Sequence, residues 1–316
     1  MNMVAGNFEW FARLHVSTLN AAFAMPAQQL WLYFSAIVLT AIGLPLIIKN
    51  ELPRERGLDK IVAFGRLFFA IPLAVFGTEH FVDAKDIAGG VPDWLPAHMF
   101  FVYLVGTALI AAALSIVVKI QSRLAATLLG IMFLIFVALI HIPGILAHPH
   151  DRIFWAVGLR DVSFSGGAFA LAGSQMRKVS TNRLPALTTL GRFFIAIPAL
   201  FFGVEHFLHP QNAPGVPLGL LTPTWIPGRL FWAYLAGAVL AAAGACLLTN
   251  QKARLAAAYL GVTILLLVLV IYLPFLISKP SDIVALNYFF DTMAFGGAVL
   301  VLAHALRGQI DHDGSR

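Results

Sequence analysis

Two adjacent acid–imidazole pairs, Glu79-His80 and Glu205-His206, are the residues of this sequence best suited to chemistry. An imidazole that titrates near neutral pH beside a carboxylate can accept a proton from a hydroquinone and pass it on. The pairs also resemble a metal or haem site, although neighbouring helical residues point about 100° apart, which strains bidentate use of one pair. A structural role, in which each pair ties helix ends together, and proton-coupled transport are the other interpretations.

The composition places these residues in a membrane protein. Of the 316 residues, 59% are hydrophobic and 11% are charged, with a mean hydropathy of +0.84. Soluble domains carry about 25% charged residues. Lys and Arg are spread thinly between apolar runs, which argues against a nucleic-acid partner and for membrane lipids. The single cysteine, Cys246, excludes an internal disulfide and a thiolate zinc site.

The chain contains an internal duplication. Residues 65–81 (GRLFFAIPLAVFGTEHF) align without gaps with residues 191–207 (GRFFIAIPALFFGVEHF), and eleven of these seventeen positions are identical. The offset then lengthens from 126 to 131 residues, because five residues are inserted in the second loop. A later offset of 130 pairs Asp161 with Asp291. The sequence therefore predicts two homologous halves.

Apolar runs of about 20 residues, the length that crosses a bilayer as a helix, predict the architecture. We expect an all-α polytopic bundle of about nine spans, with two parallel four-helix repeats related by a pseudo-twofold axis along the membrane normal. The predicted units are an N-terminal segment with one span (1–60), a first repeat (61–178), a second repeat (179–307) and a polar tail (308–316). The spans are 29–48, 61–82, 99–118, 123–143, 153–173, 188–208, 229–249, 254–275 and 284–305.

The distribution of basic residues predicts the orientation. One face of the bundle collects 15 of the 21 Lys and Arg residues and is therefore expected to be cytoplasmic. With nine spans, the N-terminus then lies outside and the C-terminus inside. We expect the membrane to be a bacterial inner membrane. Arg66 and Arg192, at the cytoplasmic ends of their spans, are expected to reach lipid headgroups or to bind an anion. Helical spacing of apolar residues over 8–23 suggests an interfacial helix before the first span.

Ionisable groups within the spans are concentrated in the first and fourth helices of each copy. Because such groups are costly in a membrane, these helices should face each other, a cavity or the twofold axis. Asp161 and Asp291 lie about two turns into the fourth helices, at a depth similar to that of the Glu-His pairs. We therefore expect a site near the extracytoplasmic face, in which the glutamates accept protons, the histidines relay them or ligate a cofactor, and the aspartates orient the imidazoles.

Further residues near this depth are candidates for cofactor binding. Trp94 and Trp225 lie in matching Pro-x-Trp-x-Pro loops and are expected to anchor the interface and to cover the site. His141 and Arg160 occur in the first copy alone, which makes the first copy the better candidate if one site works.

These motifs resemble the DoxX-like group of membrane proteins. The resemblance rests on the Gly-Arg…Gly-x-Glu-His first helix, the Pro-x-Trp-x-Pro loop, the Arg-Leu-Ala third helix at Arg123 and Arg254, and the Gly-Gly fourth helix. It covers residues 61–305 as two copies, whereas most members of the group are single four-helix units. The resemblance implies a redox-associated, quinone-linked membrane subunit with partner redox subunits. It does not identify catalytic residues.

The sequence thus predicts an integral membrane subunit of a redox system and a candidate oxidoreductase component. A quinone is the leading cofactor, and a metal or haem held by His80 and His206 is the alternative. Two other functions stay open, namely a structural or assembly subunit of a larger membrane complex and a proton-coupled small-molecule transporter.

Overall fold

The computed structural model describes residues 25–176 and 184–307, and this part of the chain forms helices and no extended strand. The predicted interfacial helix at 8–23 and the polar tail at 308–316 lie outside the described residues. The all-α, polytopic membrane fold predicted from the sequence is confirmed.

Nine long helices, named α1 to α9, follow one another along the described ranges. Their starts and ends agree with the predicted spans to within a few residues, apart from extra turns on some of them. They are α1 Ala27–Asn50, α2 Gly65–Val82, α3 His98–Val118, α4 Ser122–Ala147, α5 Arg152–Ser174, α6 Ala186–Leu208, α7 Arg229–Thr249, α8 Ala253–Ser278 and α9 Ile283–Ala305.

Eight of these helices in the described residues are long and apolar enough to cross a membrane. The exception is α5, in which Arg152, Arg160 and Asp161 lower the hydropathy. It still has 23 residues, or about 34 Å of rise, and it packs against α4, α6 and α9. We therefore treat α5 as crossing the membrane with the helices around it.

The fourth helix of each predicted repeat packs against the first helix of the other repeat. The principal neighbours of α2 are α3 and α9, and those of α6 are α7 and α5. In addition, α5 and α9 contact each other at the centre of the bundle. First and fourth helices therefore do face each other, but each pair joins a first helix of one copy to the fourth helix of the other.

The same local structures recur in both halves at an offset of 131 residues. A π-helical turn interrupts α4 at Val137–His141 and α8 at Val268–Tyr272. Asp151 caps the start of α5 and Asp282 caps the start of α9, each by accepting hydrogen bonds from backbone N–H groups of the first turn. A side chain that accepts such bonds satisfies donors that a helix start leaves free.

This offset persists to the end of the fourth helices, which corrects the sequence alignment. Gly130 packs against Phe169, and Gly261 packs in the same way against Leu300, a second pair of positions 131 residues apart. Because α5 and α9 are both 23 residues long, no residue is lost between them. Structurally, Asp291 therefore matches Arg160, whereas the sequence alignment pairs it with Asp161.

Equivalent positions of α5 and α9 meet at the centre of the bundle. Gly167 lies against Ala298, its equivalent at the offset of 131, with no room for a side chain between them. Two turns earlier along each helix, Arg160 pairs with Asp291. Contacts between equivalent residues are what a pseudo-twofold axis running between these two helices would produce.

Candidate functional site

The Glu-His pairs lie near the ends of α2 and α6, at the end of the bundle where α5 and α9 begin. We call this end the site end and the opposite end the basic end. Glu79 accepts a hydrogen bond of 2.9 Å from the Asn287 side-chain amide of α9. The pair on α2 therefore reaches across to the second half of the chain, and Asn287 is a partner that the sequence analysis did not identify.

Glu205, the second glutamate, is held as an ion pair. Its carboxylate lies 3.4 Å from Arg152 Nη1 and 3.9 Å from His209 Nε2. Arg152 also donates hydrogen bonds to the carbonyl oxygens of Pro217 at 2.9 Å and Leu218 at 3.2 Å. Glu205 is therefore buried with a fixed counter-charge, whereas Glu79 is bound to a neutral amide.

The hydrogen bonds of the two imidazole rings, His80 and His206, also differ. In both, Nδ1 donates to the carbonyl oxygen four residues earlier, which is Phe76 for His80 and Phe202 for His206. The Gly215 N–H donates to His206 Nε2 at 2.8 Å, so both ring nitrogens of His206 are engaged, and we assign the neutral Nδ1–H tautomer. For His80 Nε2, the described residues provide no partner. The first-copy imidazole therefore keeps one nitrogen free to accept a proton.

The second loop, which is five residues longer than the first, explains this difference between His80 and His206. Residues 212–218 of the second loop are buried, although connecting loops generally lie on the surface. Gly215 adopts a φ of +121°, a conformation that strongly favours glycine and aims its N–H at His206. Tyr272 donates from its hydroxyl to Pro214 O at 2.7 Å and holds the loop inward. We call residues 212–218 the plug.

We expect the plug to protect His206 from chemical modification. Diethyl pyrocarbonate attacks an unprotonated ring nitrogen, and in His206 the only such nitrogen accepts the Gly215 N–H. His80 should therefore be modified several-fold faster than His206 when the solubilised protein is treated and its peptides are analysed by mass spectrometry. Gly215→Ala, which is strained at this φ, should raise the reactivity of His206. Equal rates for the two histidines in the unmodified sequence would contradict the assigned hydrogen bonds.

A buried cluster of four ionisable side chains lies between the halves. Arg160 Nη1 donates to Asp291 Oδ2 at 2.8 Å, and Arg160 Nε donates to Asp161 Oδ1 at 3.1 Å. His141 Nε2 lies 2.8 Å from Asp161 Oδ2. The two aspartate side chains are only 6% and 8% exposed. We call these four residues the axial cluster.

Local structure explains how the axial cluster forms. Arg160 and Asp291 are each eight residues into their helices, about 12 Å from the helix starts, and they face each other across the predicted axis. His141 ends the π-helical turn of α4, a distortion that is frequent at functional sites. Gly158 of α5 lets it approach, because a Cβ on this glycine would lie 3.2 Å from the Cβ of His141.

These contacts differ from the expected role of the aspartates. Neither Asp161 nor Asp291 is hydrogen-bonded to His80 or His206; both carboxylates bind Arg160 instead. The reason is geometric, since the constant register of α5 and α9 places the guanidinium between the two carboxylates. The expectation that the aspartates orient the imidazoles is therefore not met by the described residues.

Neither the two loop tryptophans nor Arg66 and Arg192, which lie at the basic end, bond to the axial cluster. Trp94 and Trp225 are 68% and 45% exposed, which suits interfacial anchors better than a cover over buried groups. At the basic end, Arg66 pairs with Glu51. Arg192 donates to Leu247 O at 2.6 Å, near the end of α7, where cations favourably meet free carbonyl oxygens.

Within the described ranges, no group of three or more His, Cys, Asp or Glu side chains is arranged to hold a metal ion. Ligation of a metal by His206 would also require the loss of its hydrogen bond from Gly215.

Comparison of the chain with protein-family models, curated proteins and solved structures finds no match.

Proposed function

We propose that this membrane protein is the proton-handling subunit of a quinone-linked redox system. The axial cluster would hold the exchanged proton, and the first-copy Glu-His pair would deliver it. The observation that carries the proposal is the charge of the axial cluster. One guanidinium faces two buried carboxylates, so the four residues have a formal charge of −1 while His141 is neutral.

An excess negative charge is costly in a membrane interior, where the preferred state of a buried cluster is close to neutral. Binding one proton, either on the His141 imidazole or on a carboxylate, removes the excess. The four side chains are coupled through Arg160 and Asp161, so this proton belongs to the cluster as a whole. Such a group can take up a proton and release it again, which a fully paired ion network cannot do as readily.

In this proposal the first-copy pair would exchange protons with the axial cluster, and the proximity of Glu79 to the cluster supports it. Glu79 is close enough to Asp291 and Arg160 to interact with them electrostatically. His80, next to it in sequence, keeps Nε2 free of partners among the described residues. Glu79 would therefore supply a proton acceptor near the cluster, and His80, the next residue of α2, would supply a second one.

A lipid-facing aromatic surface adjoins His80 and suits a quinone ring. Phe81 stacks on Tyr103 with ring centroids 5.5 Å apart, and both side chains are exposed toward the apolar surroundings. His80 and Phe81 pack against the same residue, Gly106 of α3. A lipid-soluble ring arriving from the bilayer would find stacking partners beside an imidazole. Oxidation of a hydroquinone releases two protons and two electrons. The protons would leave one after the other through His80 and the axial cluster, and the electrons would pass to a metal-containing partner subunit.

The two copies provide a matched test of this proposal. The double variant Glu79→Gln/His80→Ala should lower quinol-linked electron flow by about 100-fold, the scale of a general acid–base contribution. The equivalent change Glu205→Gln/His206→Ala should have a much smaller effect, because those groups are already paired or capped. Native membranes carrying each variant would be assayed for quinol oxidation, normalised to the amount of folded protein. Unchanged turnover in the first-copy variant would refute the proposal.

Proton-coupled transport is the second candidate, and the Arg160–Asp291 pair on the predicted axis favours it. A charged contact between two halves is a natural place for protonation to loosen one half from the other. Purified protein in liposomes would distinguish the two functions. Solute flux driven by a pH gradient alone would support transport, whereas bound quinone in lipid extracts without such flux would support the redox role.

A further inference from the structure

A polar cavity lies at the basic end, far from the axial cluster. Its volume is about 320 Å³, and it opens between the end of α1, the start of α2 and the ends of α5 and α9. Ser174, at the end of α5, lines the cavity and is 14 residues from Arg160, or about 21 Å along the helix. The cavity is therefore separate from the site proposed for proton transfer.

Basic side chains from three different segments line this cavity. They are Arg54 from the turn after α1, Arg66 from α2 and Lys119 from the end of α3. Glu51 bonds to Arg66 and lies 3.4 Å from Lys119. Arg54 has no carboxylate partner among the described residues. Glu55 also lines the cavity, and it bonds to Arg307. Counted with Arg307, the charged groups at the cavity carry a formal charge of +2, which leaves it able to attract an anion.

Two features indicate an anion with several oxygen atoms, of the kind found in lipid headgroups. Arg66 offers several N–H donors in a planar fork and Lys119 offers three more, so the cavity suits a group with several acceptor oxygens. The cavity also lies at the ends of spanning helices, where we expect the headgroup layer. Basic pockets between transmembrane helices commonly bind anionic headgroups at that depth. Lys119 is 53% exposed, so a ligand can reach it from that layer.

We infer that this cavity is a binding site for a phosphate group, supplied by the headgroup of an anionic phospholipid. The inference does not rest on the proposed redox role, because the residues involved lie at the opposite end of the bundle. A free phosphate ion offers the same oxygens, so the experiment must distinguish the two sources.

Native mass spectrometry of the detergent-solubilised protein can test this site. The probes are phosphatidylglycerol, phosphatidylcholine as the zwitterionic reference, and inorganic phosphate. We expect phosphatidylglycerol to bind preferentially, and Arg54→Gln/Lys119→Gln to weaken its binding by tenfold or more, since each basic residue near the surface adds roughly fivefold. Glu51 keeps its bond to Arg66 in this variant, so folding should be preserved.

The matched control removes two exposed cations at the same end of the bundle but outside the cavity, namely Arg123→Gln/Lys252→Gln. Its binding of phosphatidylglycerol should stay within twofold of the unmodified protein. Equal losses in the two double variants would overturn the inference, since they would show attraction by general surface charge. Equal binding of inorganic phosphate and phosphatidylglycerol would overturn the lipid source and assign the cavity to a free anion.

Discussion

Replacing Arg160 with glutamine should destabilise the protein by about 3–5 kcal/mol, the largest effect that we expect from any single substitution. The guanidinium is the one group in the axial cluster that contacts both Asp161 and Asp291. Its loss would leave two buried carboxylates close together without their counter-charge. The two carboxylates would have to take up protons, or water would have to enter the cluster. Either change weakens the contact between the halves. Unfolding of the solubilised protein in denaturant measures the effect.

Two comparisons make this result specific. Arg123 is exposed at the start of α4, so Arg123→Gln should change stability by less than about 0.5 kcal/mol. Adding Asp161→Asn and Asp291→Asn to Arg160→Gln should restore much of the lost stability, because no buried charge then remains unpaired. An Arg160→Gln variant as stable as the Arg123→Gln control would contradict the ion pairs at the axis.

The second large effect should come from Gly297→Ala, which we expect to cost about 1–3 kcal/mol as an overpacked contact. A Cβ at Gly297 would meet the backbone of α2, 2.6 Å from the carbonyl carbon of Phe68 and still closer to the amide nitrogen of Phe69. Backbone atoms cannot move aside as side-chain ends can, so α9 would have to move away from α2. This movement would separate the two halves.

Gly296→Ala is the matched control for this substitution. Its Cβ would lie 3.1 Å from Ile264 Cγ2 and 3.3 Å from Leu265 Cδ2, both at the ends of side chains that can adjust. The two variants have the same composition and the same helix propensity at neighbouring positions. Thermal unfolding should therefore show a clear loss for Gly297→Ala and a small one for Gly296→Ala. The opposite order would contradict the close approach of α9 to α2.

The helices were predictable because their signal is local. A run of about 20 apolar residues suffices to predict a span. The span predicted at 153–173, the fourth of the first repeat, differs by one residue at each end from the observed helix Arg152–Ser174. The candidate residues were identified because charges are rare in such runs. Glu79, Arg160, Asp161 and Asp291 stand out in the sequence for this reason alone.

The partners of these residues were not predictable, because they depend on how helices from different copies pack. Nothing local in the sequence shows that Glu79 meets Asn287 or that Glu205 meets Arg152, since these contacts join the two halves. The plug was detectable only as a length difference, and its Pro- and Gly-rich composition indicates a loop without showing that it is buried. The register of α5 and α9 was missed because a one-residue gap aligned two aspartates.

The corrected register gives the duplication a physical consequence. In a symmetric dimer of identical chains, a residue on the twofold axis faces its own copy, so an arginine or an aspartate there would meet a like charge. Two fused copies can diverge, and Arg160 now faces Asp291 at the equivalent position. An asymmetric buried ion pair with one carboxylate in excess is thus accessible to a tandem chain and not to a symmetric dimer.

Infrared pH-difference spectroscopy of the purified protein tests most directly whether the axial cluster holds an exchangeable proton. The bands to follow are the carbonyl stretch of a protonated carboxyl group and the ring modes of an imidazolium. In the unmodified protein, we expect a titrating band from the cluster. In Asp291→Asn, where Arg160 and Asp161 alone are already neutral, that band should be absent. Identical difference spectra for the unmodified protein and Asp291→Asn would contradict the account.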